Sequence, residues 1–544
     1  MALNRYWFFY LNAIAVLALA VPAYLANTAA LIFWPLCLFF TGVGLVDITQ
    51  RHSAVRRNYP ILAHFRFLFE SIRPELRQYL FESDTEESPF SRQQRSIVYQ
   101  RAKQELDKRP FGTQLSVYAN HYEWMNHSLQ PAPVAEDGFR IHVGGKDCTQ
   151  PYQVSVFNIS AMSFGALSAN AIRALNRGAK KGGFYHDTGE GSISRYHLEH
   201  GGDLVWEIGS GYFGCRNDDG TFNPEKFQRN AQLPTVKMIE IKLSQGAKPG
   251  QGGILPGAKV SAEIAEARGV PVGVDCLSPA SHSRFNTPKG LLQFIAELRQ
   301  LSGGKPVGFK LAIGHVWEWF AIAKAMQETG ILPDFIVVDG GEGGTGAAPL
   351  EFTDHVGMPL REALMLVHNT LVGLNLRSKI KIGAAGKVIT AFDLARTLAI
   401  GADWCNAARG FMFAVGCIQS QNCHTGRCPT GVATQDAMRQ KGLDPANKGE
   451  RVAHFQHNTV KALAELLAAA GLRHPSELGP EHIIRRINAE TVLPLSKVYP
   501  QVRPGDLLTD NPVPTALREY WFNASAESFA PPPNLLNARH SKLV

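Results

Sequence analysis

Between residues 136 and 409 the chain repeats one pattern: a short β-branched run closing on Gly or Asp, then an amphipathic stretch. The runs are Val154–Ser160, Gly183–Thr188, Lys237–Leu243, Val270–Leu277, Pro306–Ile313, Phe335–Gly340, Lys379–Ala384 and Trp404–Arg409. Helical periodicity fills most of the gaps, at Ser168–Lys181, Val260–Arg268, Lys289–Leu301, Glu318–Thr329, Pro359–Asn375 and Ala391–Ile400. Eight strands joined by crossovers fit a closed (β/α)8 barrel or, as second choice, a doubly wound sheet. Polar and Gly-rich residues recur at the carboxyl end of nearly every run, where a barrel builds its site. The pattern therefore predicts an α/β chain with a TIM barrel over residues 136–475.

The amino end obeys a different rule. Tyr6–Ala26 and Ala29–Val46 carry no charged side chain, and each is close to the ~20 residues that cross a bilayer. Only Asn27-Thr28 separates them, so they read as a helical hairpin with Tyr6, Trp7 and Trp34 at interfacial positions. Arg5 precedes the first span and Arg51, His52, Arg56 and Arg57 follow the second, which puts both ends in the cytoplasm. A signal peptide is the competing reading, but a second span follows and no A-x-A site ends the first cleanly. The expectation is a membrane anchor over residues 1–50, a helical extension over 51–135 with a helix through Gln93–Lys108, and a barrel facing the cytoplasm. Residues 476–544, Pro-rich and irregular, read as a tail that wraps the barrel and then frays. The net charge of +8 is partly local: residues 51–110 hold twelve Lys/Arg against eight Asp/Glu. No basic stripe interleaved with aromatics accompanies it, which argues against nucleic acid.

Cys417, Cys423 and Cys428 fall within twelve positions of a chain with eight cysteines. Thiolates gathered this densely among Gly and Pro suit iron–sulfur ligation, by a three-iron cluster or a four-iron cluster with one open site. Zinc with His424 as fourth ligand, a disulfide framework and a chance cluster of buried thiols stay open on spacing alone. The five scattered cysteines suggest a reducing compartment.

Two segments fit G-x-G-x-x-G, Gly209–Gly214 and Gly341–Gly346, but neither opens a helix, so a dinucleotide fingerprint is weak. The loops after the seventh and eighth runs, Gly383-Ala384-Ala385-Gly386-Lys387 and Ala407-Ala408-Arg409-Gly410, suit a phosphate approached by backbone N–H groups. Lys310 lies inside an apolar strand and requires a negative partner, or a flavin whose N1/O2 edge it would stabilise on reduction. The long Gly/Lys loop Lys242–Gly257 offers Lys242 and Lys248 to an anionic, carboxylate-bearing substrate. Asp187, Glu190 and Asp339 add carboxylates at strand ends.

Ser160–Ser168, Thr188–Gly191, Ile241–Val260, Asp339–Pro349 and Gly416–Gln435, in that order, closely resemble the synthase domain of glutamate synthases. More narrowly they resemble stand-alone FMN-binding members that lack the glutaminase domain. The resemblance covers about residues 150–440 and implies FMN and a 3Fe–4S cluster held by Cys417, Cys423 and Cys428. It implies Ser160, Ala161, Met162 and Ser163 along the flavin and Lys310 at its N1/O2 edge. Asp339, Gly341 and Arg409 would also bind the cofactor, with Gly386 and Gly410 near its phosphate. Glu190, Lys242, Lys248 and Arg268 fall around the flavin and 2-oxoglutarate, with Glu190, Lys248 and Lys310 in catalytic roles. The implied reaction is reductive amination of 2-oxoglutarate or a related oxoacid by ammonia. A different substrate, coupled to quinone, is the alternative. Ile254 stands where the family usually has Gln, and Ala280-Ser281-His282-Ser283-Arg284 replaces a Pro-Pro-His-His-Asp segment. The resemblance extends to neither a glutaminase nor an NAD(P)H domain. Electrons are therefore expected from ferredoxin, a separate flavoprotein subunit or quinone.

Overall fold

In a computed structural model, residues 6–25, 27–85, 89–136, 138–346, 348–509 and 515–532 are described. The chain divides into two compact units, residues 1–86 and 87–544.

The first unit opens with two apolar helices, Trp7–Tyr24 and Thr28–Thr49, long and apolar enough to cross a membrane. They run antiparallel, because the few polar side chains among them find partners across the pair. Asn12 Nδ2 donates to the Cys37 carbonyl at 2.7 Å and to Thr41 Oγ1 at 2.8 Å. Trp34 Nε1 donates to the Val16 carbonyl at 3.0 Å. In a low-dielectric setting such polar groups are tolerated only when paired in this way. The Asn27 side chain caps the second helix by accepting the Ala30 N–H.

The second unit is built on eight parallel strands closed into a barrel. They are β1 (Phe157–Ile159), β2 (His186–Asp187), β3 (Leu204–Ile208), β4 (Val236–Lys242), β5 (Val307–Leu311), β6 (Phe335–Asp339), β7 (Lys381–Ala385) and β8 (Trp404–Ala407). Alternate residues face the axis. Tyr185, Val205, Met238, Phe335, Val337 and Trp404 fill the lower interior. Gly383 makes room there, since a Cβ on it would lie 2.7 Å from the Trp404 ring. An antiparallel hairpin, Arg140–Val143 with Tyr152–Ser155, contributes Val143 and Val154 to the same cluster and plugs the amino end of the barrel. Only the carboxyl end is left to open onto a site.

The expected strand at Val270–Leu277 is not in the barrel. Val272 and Val274 are exposed, Pro271 interrupts the run, and only Cys276–Leu277 pairs, antiparallel with Ile254–Leu255. Its place is taken by Leu204–Ile208, so Val236–Lys242 is the fourth strand rather than the third. The helix at Gln93–Lys108 ends earlier, at Lys103, where Gln104 turns left-handed at φ 59°. A 25-residue helix, Pro445–Ala469, escaped the sequence reading. Asp444 caps it, accepting the Ala446 and Asn447 N–H groups, and Pro445 starts it. It lies along Ala169–Gly182, where Gly178 admits Val452: a Cβ there would fall 2.3 Å from Val452 Cγ1. The tail follows the barrel's outside, with Trp521 set edge-on to Phe320 of the helix Val316–Thr329. Residues beyond 532 lie outside the described residues.

Candidate active site

One tier below the carboxyl mouth, four consecutive strands each send a charged side chain to the axis: Asp187, Glu207, Glu240 and Lys310, all buried. Glu207 and Glu240 are register partners across β3 and β4. Lys310 Nζ ion-pairs with Glu207 Oε2 and sits 3.3 Å from Glu240 Oε1. Oxygens of Asp187, Glu207 and Glu240 lie within 4.8 Å of one another. Burial and crowding favour protonation in this group. Burial, with the Glu207 charge second, pushes Asp187 up to about 7. Burial also raises Glu240 against the pull of Lys310. Burial opposes the charge on Lys310, but Glu207, Glu240, Asp187 and Asp339 outweigh it and hold it well above the usual lysine range. The lysine is therefore a fixed cation, with Asp187 and Glu240 favouring their protonated forms. Its partners, Glu207 and Glu240, were missed in the sequence. The signal was present: Glu207 is the lone charge of an otherwise apolar strand, and Glu240 stands between Ile239 and Ile241.

This arrangement carries a pH signature. Asp187 keeps its proton in the folded barrel to about pH 7, against an ordinary value of 3.8. Its stabilising contribution is complete below about pH 4 and is lost as pH rises through 7. Asp187→Asn, which can still accept the Gly189 N–H, removes that slope. The expected result is a wild-type loss of a few kcal/mol between pH 5 and 8 that the variant lacks, read from urea midpoints.

At the mouth, Glu190, Lys242 and Lys248 line one cavity of about 400 Å³, with Ser210, Ser244 and the Gly252-Gly253 backbone. Lys242 Nζ lies 3.2 Å from Glu190 Oε1. Burial works against the charge on Glu190, yet Lys242, Arg268 and Lys310 hold it below the usual carboxylate range. Lys248 is lowered by burial, with Lys242 adding to the effect. The Gly/Lys loop is tied down at both ends. Gly246 donates its N–H to Asp339 Oδ2 at 2.9 Å. A Cβ on Gly246 would fall 1.8 Å from the Gly340 carbonyl, and one on Gly252 1.9 Å from that of Ser278. His282 fixes the end of β4: Nε2 donates to the Lys242 carbonyl at 2.9 Å, leaving Nδ1 to accept from Tyr212 Oη at 3.2 Å. Burial pushes His282 down to about 4, so it is a neutral strut.

Arg268 does not reach this cavity. It is buried, donates to the Phe164 carbonyl at 3.2 Å and lies over the Phe213 ring, so it braces the Ser160–Ser168 loop from behind. That loop crosses the mouth between β1 and β2. Ser160 donates its N–H to the Ala407 carbonyl at the end of β8, and the Ser163 N–H lies so close to Gly189 that a Cβ there would stand 2.7 Å away. Met162 is buried, and Ser160, Ala161 and Ser163 are partly exposed. On the β6–β7 side, Glu342 occupies the space beside Gly340 and Gly386 and accepts the Leu360 N–H at 2.8 Å. Gly341 packs against the Gly357 carbonyl. Gly410 faces inward, against Ile389 and Phe455. The Ile254 side chain lies outside the described residues.

Directly after β8, Cys417, Cys423 and Cys428 line a second cavity of about 470 Å³ together with Arg409, Met412 and Phe413. Arg409 thus stands at the thiols, donating to the Thr345 carbonyl at 3.1 Å, rather than in the Gly386 loop. All eight cysteines are free, which removes the disulfide reading. Among the described residues no three thiols or histidines come within 4.8 Å of one another, as ligands of one zinc ion would. Burial raises Cys417 to about 11 and raises Cys423. Cys428 goes the other way. Burial opposes its ionisation, but N–H groups of Ala433, Thr430 and Val432 and the Thr430 hydroxyl hold it below the usual thiol range. Tyr99 Oη anchors the Cys417 carbonyl at 2.7 Å, and Lys259 Nζ bridges the carbonyls of Cys423 and His424.

The conserved region in glutamate synthase matches residues 116–473. The chain is 37% identical over 521 residues to the glutamate synthase large subunit-like protein YerD of Bacillus subtilis, across 88% of this chain and 99% of that one. It is 37% identical over 315 residues to an archaeal glutamate synthase (NADPH) of Methanocaldococcus jannaschii, and it covers 58% of that protein's length. A solved structure of a mutant flavocytochrome b2 with pyruvate bound overlays with a TM-score of 0.41 at 13% identity, over 84% of this chain and 92% of that one.

Proposed function

Because this chain belongs to the glutamate synthase family, we propose that it is an oxidoreductase of glutamate synthase type. It would bind FMN and a 3Fe–4S cluster and convert 2-oxoglutarate or a related oxoacid, with ammonia, into an amino acid. The observation that carries this reading is a vertical order in the barrel. A fixed Lys310 cation lies beneath the mouth, and a cavity with two lysines and a carboxylate lies at it. The thiol cavity opens just past the last strand.

The residues present fit both groups. Cys417, Cys423 and Cys428 line one cavity without converging on a single ion, which suits a ligand set shared among several irons. At the mouth the Ser160–Ser163 loop offers small side chains and backbone amides, and Lys310 offers a buried cation. When bound, the cluster would supply single electrons and the flavin a hydride. Lys310 would stabilise negative charge at the N1/O2 edge of the ring. Lys242 and Lys248 would receive the carboxylates of the oxoacid, and Glu190 would orient Lys242 and manage protons at the reacting carbon. The two apolar helices favour the second reading, a flavo-iron–sulfur dehydrogenase coupled to quinone. In either case the helices would anchor the chain in the cytoplasmic membrane, with the barrel in the cytoplasm.

Lys248→Met tests the substrate assignment. It is expected to raise KM for 2-oxoglutarate roughly 10- to 100-fold, the loss of one charge-assisted contact, with flavin content unchanged. An unaltered KM for the oxoacid would remove Lys248 from the substrate site and favour the dehydrogenase reading.

A further inference from the structure

The helix Leu62–Leu76 in the first unit has an apolar face that is exposed among the described residues. Phe65, Leu68, Phe69 and Ile72, at i, i+3, i+4 and i+7, are 51%, 53%, 60% and 38% exposed. Packing is confined to the first turns on the other side, where Ala63 is buried and Phe67 lies beneath the Arg56 guanidinium at 5.4 Å. The stripe is thus surplus to the packing of the unit.

The start of this helix is locked to the end of the second apolar helix. Asp47, two residues before that helix ends at Thr49, is buried. It accepts the Ile61 N–H at 3.0 Å and meets His64 Nε2 at 2.9 Å. Ile61 is held at φ 67°, a costly conformation for a β-branched residue, and packs at Gly44, where a Cβ would stand 3.3 Å from Ile61 Cδ1. The chain therefore leaves at the level where the apolar helix stops. Arg66 and Arg73, at i and i+7, run along one edge of the stripe, with Arg66 paired to Glu70 at 2.9 Å, and Arg77 follows just past the helix. Residues 51–81 hold six arginines against two glutamates.

We infer that Leu62–Leu76 lies in the surface of an anionic bilayer, its Phe65–Leu68–Phe69–Ile72 face in the acyl boundary and its arginine row on the headgroup phosphates. This rests on the reading of the two apolar helices as an anchor. An apolar stripe flanked by one cationic row, pinned where a span ends, matches the requirements of an interfacial helix. Long arginine side chains can lie along the boundary and keep their charge at the phosphates.

The test uses the full-length chain in phosphatidylcholine–phosphatidylglycerol vesicles. Benzoylphenylalanine is placed by Phe69→benzoylphenylalanine or, on the polar side, Glu70→benzoylphenylalanine, and photo-adducts are read by mass spectrometry. The expected result is a lipid adduct at position 69 at least several-fold above that at 70. It should fall several-fold when Arg66, Arg73 and Arg77 are all changed to Gln, or in phosphatidylcholine alone. Adducts at 69 only to protein, a second copy included, or equal lipid adducts at the two positions, would overturn the inference. Extraction by alkaline carbonate, measured on the same samples, reports separately on the anchor. Release of the chain would overturn the anchor reading, whereas a retained chain without lipid adduct at 69 would overturn the interfacial helix alone.

Discussion

Lys310→Met is expected to cost the barrel about 3–5 kcal/mol, because it leaves the Glu207 carboxylate buried without the cation it is paired with. Methionine keeps much of the volume, so the loss is one of charge and not of packing. A fall in Tm of roughly 3–5 °C follows for a unit of this size. The same physics sets two further outcomes. Adding Glu207→Gln to Lys310→Met recovers part of the loss, with a coupling energy of roughly 0.5–3 kcal/mol. The deficit also shrinks as pH falls, since the carboxylates left behind take up protons. Thermal melts of the two single variants and the double variant at pH 5 and 8 check all three. A Lys310→Met protein as stable as wild type at pH 8 would mean that the buried layer is not held by this cation.

Cys423→Ser is expected to abolish the cluster. With three thiols available, losing one leaves two, and a serine hydroxyl is a poor substitute for a thiolate on iron. Iron and acid-labile sulfide in the anaerobically purified protein should fall to background, and donor-linked turnover should drop by roughly 100-fold or more. Flavin content should persist, because the Ser160–Ser163 loop and Lys310 do not line the thiol cavity. Cys148→Ser is the control. That thiol donates only to the Gly304 carbonyl, and its loss should leave iron unchanged. Full iron content in the Cys423 variant would remove the triad from metal binding.

The two predictions draw on parts of the chain that differ in how plainly the sequence shows them. The thiols are local, three residues within one loop, so spacing alone raised iron–sulfur ligation. The acid layer is not local. Glu207, Glu240 and Lys310 meet only because β3, β4 and β5 stand side by side, and no window of sequence contains that adjacency. The barrel itself was legible from its alternation, with one exchange. Leu204–Ile208, the apolar run ahead of Gly209–Gly214, is the third barrel strand, whereas Val270–Leu277 has a strand's composition and lies outside the barrel. Exposure of Val272 and Val274 shows why composition failed: both are more than half exposed, and only Val270 of the three packs against the core. Arg268 was placed by the family resemblance and Arg409 by its loop after the eighth run, and neither sequence signal shows what the side chain packs against. One braces a loop from behind, and the other stands beside the thiols. The helix Pro445–Ala469 announced itself with Asp444-Pro445 but lay past the end of the repeating pattern.

The central claim is that electrons reaching this barrel are delivered to an oxoacid with ammonia. Anaerobic stopped flow on the full-length protein in mild detergent, reduced with dithionite, tests it most directly. The account predicts that 2-oxoglutarate, or a related oxoacid, with ammonia re-oxidises the flavin absorbance within the mixing experiment and yields the amino acid in matching amount. Flavin that stays reduced with oxoacid and ammonia, yet re-oxidises on adding a quinone, would contradict it.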